Sequence, residues 1–286
     1  DQILVVNPIN VFTALALKRS GASVFLHMDG MEQDRRKWGF IARFAHRLAR
    51  RIAVRSDLRL IVDNEAVQEI YRSKFDTDPI VIAYGGCEIA EVSEDHRWRE
   101  EPLNKTFLVL ARPEPENNIL EICRAFTHMS TSNHLLVVGA PPRPTKYWKQ
   151  VQREAQGCPR IQLSPPIWDQ ESLCKIYRGC RTVIHGHSVG GTNPSLVLAL
   201  SHGTPVFAHD NPYNRSTGGE LVEYWRDEIH LAEMLCAIED SDGPRRTTQQ
   251  RSDHTWRHVL DSSKQLICAL LGRERFWLFC SRSQHG

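Results

Sequence analysis

The stretch HGHSVGGTNPSL, residues 185–196, offers two kinds of chemistry. His185 and His187 alternate as ligands on one strand face would, and with His202 and His209 nearby in sequence they suggest a metal site. Gly190 and Gly191 instead suggest an anion cradle, because glycine lets backbone N–H groups come close to a phosphate. The metal reading is the weaker one. A metal-dependent hydrolase barrel beginning with His-x-His needs most of its strands after this point, and only about a hundred residues remain. The local pattern fits the anion reading better. The run RTVIHG reads as a strand, HSVGGT as a loop, Asn193 as a helix cap, Pro194 as a first-turn residue and SLVLALSHG as a helix ended by Gly203. A helix N-terminus placed after a glycine loop favours phosphate. A glycine loop required only by tight packing is the competing explanation. Arg112 closes another strand-like run, LVLAR, where a guanidinium either clamps a diphosphate or makes a surface ion pair; the glycine loop favours the clamp.

These residues need a sheet to hold them. Nine short apolar runs recur, at 2–7, 22–29, 58–63, 79–85, 106–112, 134–140, 160–164, 181–186 and 204–210, with helical patterns between them. That alternation predicts an α/β fold of buried parallel strands with helices on both faces. The first four runs and the last five predict two sheets. Residues 85–105 are polar and aperiodic, as an interdomain linker should be, which puts the boundary near residue 90: domains 1–90 and 91–286. No glycine-rich turn precedes Ile3, so the first domain is expected to be small or to lack an N-terminal portion. The last two helical patterns, 227–240 and 254–271, are followed by the apolar tail 276–279.

Composition narrows the class. The 286 residues carry 36 Lys and Arg against 34 Asp and Glu, a net charge of +2 that gives no reason to invoke nucleic acid. Eight cysteines are scattered without a C-x-x-C pair, as expected of reduced, buried thiols. With no membrane-length apolar run and no signal-peptide core, a cytoplasmic protein is expected, peripheral at most. Residues 34–55 predict an amphipathic helix, with Trp38, Ile41, Phe44, Ala45, Leu48 and Ile52 on one stripe and Arg43, Arg47, Arg50, Arg51 and Arg55 on the other. Either the stripe packs into the core and the arginines are solvated, or the helix meets anionic lipid at the inner face of a membrane.

Five segments, HMDGMEQDRRKW, ARPEPENN, PPIWDQESL, HGHSVGGTNPSL and HDNPYNR, resemble the bacterial rhamnosyltransferase-like branch of glycosyltransferase family 4. The resemblance runs from about residue 3 to residue 265. It implies a GT-B fold of two Rossmann-like doubly wound domains facing a cleft, the first incomplete here. It also implies a retaining transferase that moves a hexosyl group, rhamnosyl above all, from a nucleotide-sugar donor to a glycan or lipid-linked acceptor in surface polysaccharide assembly. On this resemblance Arg112 holds the donor diphosphate, Ile167 flanks the base, and Gly190, Gly191 and Thr192 meet the phosphates and sugar. Asn117, often Lys in the wider family, joins the donor site with His187 and Asn193. His27 and Asp29 are the implied catalytic pair, with Glu32 and Arg35 beside them on the acceptor side. Neither a catalytic metal nor a separate cofactor is implied, because Arg and backbone dipoles neutralise the leaving diphosphate.

The chain departs from the family pattern at Leu198. The wider family has Glu there, the second of two separated by seven residues, and it binds the ribose hydroxyls. Leu in its place removes a charge-assisted hydrogen bond worth about 1.5–3 kcal/mol, or roughly ten- to a hundredfold in donor affinity. That change, with the short first domain, sets up the alternative of a non-catalytic relative acting as a binding or partner protein.

Overall fold

The computed structural model of the chain describes residues 2–31, 39–83, 85, 103–129, 131–238 and the backbone of 276–279. The first unit contains strands β1 (Gln2–Val6), β2 (Ser23–His27), β3 (Arg59–Val62) and β4 (Ile80–Val81), with helices α1 (Val11–Arg19), α2 (Phe40–Arg55) and α3 (Glu65–Phe75). Residues 189–192 group with this unit. The second unit contains β5 (Thr106–Leu110), α4 (Ile119–Thr127), β6 (His134–Val138), α5 (Lys146–Gln156), β7 (Ile161–Ser164), α6 (Gln170–Gly179) and β8 (Thr182–His185). It continues with α7 (Pro194–Ser201), β9 (Val206–His209), α8 (Pro212–Gly218), β10 (Glu223–Trp225) and α9 (Glu228–Ala237). One more strand, β11 (Phe276–Phe279), pairs in parallel with β1.

All nine apolar runs are strands, and every pairing in both sheets is parallel. Each sheet also has a strand the apolar pattern does not reveal. β10 is only three residues long, EYW, and β11 lies in the tail expected to belong with the second domain but joined instead to the first sheet. The first sheet runs β11-β1-β2-β3-β4 and the second β10-β9-β8-β5-β6-β7. In the second, β5 is the turning point. Successive strands step outward from β5 through β6 to β7, then the chain returns to β8 on its other side, as in a doubly wound fold.

Alternation along β5 shows why this sheet is covered on both sides. Phe107 and Val109 pack with Phe126 of α4, Trp148 of α5 and Leu231 of α9. Leu108 points the other way, onto Ile176 and Tyr177 of α6 and Leu196 and Leu200 of α7. Successive side chains of a strand face opposite sides, so a centre strand under two helical layers must be apolar at every position. Four of the five described cysteines, Cys123, Cys158, Cys174 and Cys180, are buried and unbridged.

Helix α2 corrects the expected packing. Its buried side is His46, Ala49 and Ala53, small and polar residues, whereas Ile41, Phe44 and Leu48 of the apolar stripe are exposed, as is Phe40, and Ala45 and Ile52 are half-buried. The large residues of the stripe therefore do not pack into the core. Trp38 lies outside the described residues.

The ends of β5 and β6 come so close that a side chain is barred between them. Gly139 follows β6 with φ +131°, and a Cβ there would overlap the Ala111 carbonyl oxygen. Gly139→Ala is expected to destabilise the protein by about 1–3 kcal/mol, from backbone strain together with the clash. Gly157→Ala, at φ −74° with an ordinary contact to Glu154, should be tolerated. Thermal unfolding of the two variants checks the contrast, and equal melting temperatures would contradict it.

Candidate functional site

Where the second sheet reverses direction, the connections from β5 and β8 leave toward opposite faces and a crevice opens at the strands' carboxyl ends. A cavity of about 540 Å³ lies there, lined by residues that follow β5, β6, β7 and β8. Arg112, Asn117, Ile167, His187 and Asn193 all line it. Gly190, Gly191, Thr192 and Leu198 do not.

The cavity floor is two loops bonded to each other. Asn117 donates from Nδ2 to the Arg112 carbonyl at 2.8 Å, which fixes its amide so that Oδ1 accepts from His187 Nδ1 at 2.9 Å. Asn118, at φ 48°, donates to the Gly186 carbonyl at 2.8 Å, and Ser188 donates from both its N–H and Oγ to the Glu116 carbonyl at 2.9 Å. Asn117 is 6% exposed and His187 8%, so these bonds replace contacts that water could not supply. A side chain at Gly186 would overlap the Asn117 carbonyl.

Two positive features face this floor. Helix α7 begins at the cavity: Asn193 Oδ1 accepts from Ser195 N–H at 3.0 Å, Pro194 occupies the first turn, and Asn193, Pro194 and Ser195 are all on the wall. The Arg112 side chain is 67% exposed and, among the described residues, its nearest carboxylate, Glu114, is 4.0 Å away, so that pair engages its charge only weakly. A helix N-terminus and a guanidinium suit a diphosphate. His185 is buried on the wall, and burial, helped by His209, holds its imidazole down to about 4, neutral at physiological pH. The His185 and His187 rings lie 6.1 Å apart, while His202 stacks on Tyr177 at 5.5 Å and His209 sits edge-on to Trp225 at 4.8 Å. Among the described residues no group of three or more His, Cys, Asp or Glu is placed to hold a metal.

Gly190–Thr192 belongs with the first unit. Thr192 Oγ1 donates to the Asp63 carbonyl at 2.6 Å and accepts from Asn64 Nδ2 at 3.2 Å. A Cβ on Gly30 would overlap the backbone of Gly190 and Gly191, and one on Gly191 would overlap Asp63 Oδ1. Tight packing alone thus requires glycine at 30 and 191. Leu198 is partly buried against the cluster of Leu108, Leu196 and Leu200.

Within the first unit, His27 ends β2, and its Nδ1 lies 2.9 Å from Oδ1 of Asp29, which has φ 49°. Asp63 follows the neighbouring strand β3 and is 4% exposed. Glu32 and Arg35 lie outside the described residues. Two residues escape the sequence reading. Asp63 could have been found as the carboxylate ending the apolar run 58–63, and Trp168, 86% exposed beside Ile167 on the cavity rim, as an aromatic in the loop that follows the run 160–164.

Burial raises the Asp63 carboxyl to about 6; His27 opposes the rise and Asp29 adds to it. Because the folded value is raised, the native state holds this proton more tightly than the unfolded chain. The resulting stability is present below the unfolded value near 3.8 and is lost as pH climbs through about 6. Asp63→Asn removes that loss, so relative to the parent it should gain roughly 1–3 kcal/mol between pH 4 and pH 7.5. Urea unfolding at both pH values measures the difference, and a pH-independent offset would contradict this account of Asp63.

No family model matches the chain, and no curated protein matches it in sequence. In fold it is similar to a sucrose-phosphate synthase from Thermosynechococcus elongatus, with TM-score 0.78 and 14% identity, covering 94% of this chain and 73% of the synthase. It is also similar to the pneumococcal O-GlcNAc transferase GtfA, solved with UDP and GlcNAc, with TM-score 0.67 and 14% identity, covering 94% of this chain. The chain spans 57% of that transferase, little more than half its length. The Anabaena protein HepE, solved with UDP, matches with TM-score 0.73 and 16% identity, covering 93% of this chain and 78% of HepE. The fold is therefore α/β of the GT-B type, built from Rossmann-like parallel sheets.

Proposed function

We propose that the protein is a glycosyltransferase that takes a hexosyl group, rhamnosyl as the first candidate, from a nucleotide-sugar donor. The observation that carries this reading is the 540 Å³ cavity at the reversal point of the second sheet, with Arg112 and the start of α7 on its wall. Arg112 and the α7 N–H groups neutralise the leaving diphosphate, so the bond to the sugar breaks without a metal. Asn117 and His187 set the floor beneath it, and Ile167 with Trp168 provides an apolar edge for the base. His27 and Asp29, with Glu32 and Arg35, serve the acceptor, a glycan or a lipid-linked glycan in bacterial surface polysaccharide assembly, and the mechanism is retaining. The enzyme works in the cytoplasm, at the inner face of the membrane. Two structural neighbours support the donor class: one was solved with UDP and GlcNAc, another with UDP.

Leu198 favours a second reading, a non-catalytic protein that keeps the fold and binds a partner or glycan. An apolar residue stands there where the resembled family has a ribose-binding carboxylate, and it is packed against the core.

Calorimetric titration with UDP-, GDP- and dTDP-sugars tests both. The transferase reading expects one of them to bind, Arg112→Ala to weaken it about ten- to a hundredfold, and Trp168→Ala to weaken it less. It expects Leu198→Glu to tighten binding by about 1.5–3 kcal/mol, a gain lost with a nucleotide lacking the ribose hydroxyls. No binding to any donor, or a Leu198→Glu protein that is less stable without binding more tightly, supports the second reading instead.

A further inference from the structure

The exposed side of α2 has no part in the cavity, and it is unusual for a surface. Phe40, Ile41, Phe44 and Leu48 are 82%, 83%, 56% and 45% exposed, far more apolar area than one helix ordinarily gives to water. Phe40, Phe44 and Leu48 recur at i, i+4 and i+8, and the same line continues through Arg51 and Arg55 at i+11 and i+15. One face of the helix is thus apolar along its first half and cationic along its second. Arg47 is exposed on this side too, and the sixteen residues of α2 include no carboxylate.

The cationic end opens onto a recess. A hollow of about 550 Å³ is lined by Arg51 and Arg55 of α2 and by Arg72, Lys74 and Asp76 at the end of α3. Four cations face one carboxylate there; Arg72 also pairs with Asp78 outside the hollow, at 2.7 Å. Ile9 and Phe12, on the segment that α2 packs against, are exposed as well, at 43% and 66%.

We propose that this face of α2 docks the protein on an anionic lipid bilayer. Phe40, Ile41, Phe44 and Leu48 enter the boundary between headgroups and acyl chains, and the Arg51, Arg55, Arg72 and Lys74 recess receives headgroup phosphates. Charge selects the occupant: a protein surface would have to bring its own carboxylates to this helix, whereas an anionic leaflet supplies negative charge beside an apolar phase, in the order the face presents them. Among the described residues no helix is long and apolar enough to cross a membrane. The inference deepens the membrane location of the proposed enzyme but rests on α2, so vesicle binding and donor binding can fail separately.

Cosedimentation of the full chain with vesicles tests it. Binding is expected to phosphatidylcholine vesicles containing phosphatidylglycerol, at least tenfold tighter than to phosphatidylcholine alone, and to weaken as salt rises to about 0.5 M. Phe44→Asp and the pair Arg51→Glu with Arg55→Glu should each reduce it at least tenfold, with the circular dichroism spectrum and nucleotide binding unchanged. The salt titration needs no variant, so a variant that fails to fold leaves the test intact. Equal binding to both vesicles, or binding to neither, overturns the proposal. So does a Phe44→Asp protein that halves the molecular mass in solution while vesicle binding persists, which would assign the face to self-association.

Discussion

The buried polar lacing between the loop after β5 and the loop after β8 is the constraint on which the second unit depends. At the reversal point neighbouring strands send their connections to opposite faces, leaving loop backbone below the surface with no strand or helix to satisfy it. Asn117, Asn118 and Ser188 satisfy it from within, through the bonds to Arg112, His187, Gly186 and Glu116. Because each partner lies on the other loop or at its own loop's start, the two cannot drift apart without stranding several buried groups at once. The crevice floor is held by bonds among the chain's own groups, the kind of preorganisation that favours binding of a flexible, charged ligand.

Glycine does the complementary job. Gly139 and Gly186 let strand ends and loops approach within distances that bar any side chain, and Gly30 and Gly191 do the same in the first unit. The motif at 185–196 therefore serves two demands: Gly191 is required by packing against Asp63, while Asn193 and Pro194 start the helix that faces the cavity. The proposed anion site and a packing site share one loop.

Much of this is legible in residue order. Each apolar run is a strand because a parallel sheet covered on both faces has to be apolar along its whole length, and the capping pattern Asn193-Pro194 with Gly203 marks both ends of α7. Length defeats the reading at β10, since three residues carry no periodicity, and β11 hides in a tail whose pairing partner is at the other end of the chain. Helix α2 shows a deeper limit. Periodicity identifies an amphipathic helix but not which side meets protein, and here Ala49 and Ala53, small enough for close packing, take the inner side. The position of Asp63 at the end of an apolar run is legible, but its raised carboxyl is not, because the rise comes from burial and from Asp29, against the opposing His27, and these meet it only in the folded chain.

The central claim is that nucleoside diphosphate binds at the reversal point of the second sheet. Amide hydrogen exchange with and without UDP or dTDP-rhamnose measures this directly. Slower exchange is expected in residues 112–118, 164–168 and 186–195, with the remainder of the second unit unchanged. Protection confined to other segments, or none at saturating ligand, would contradict the account.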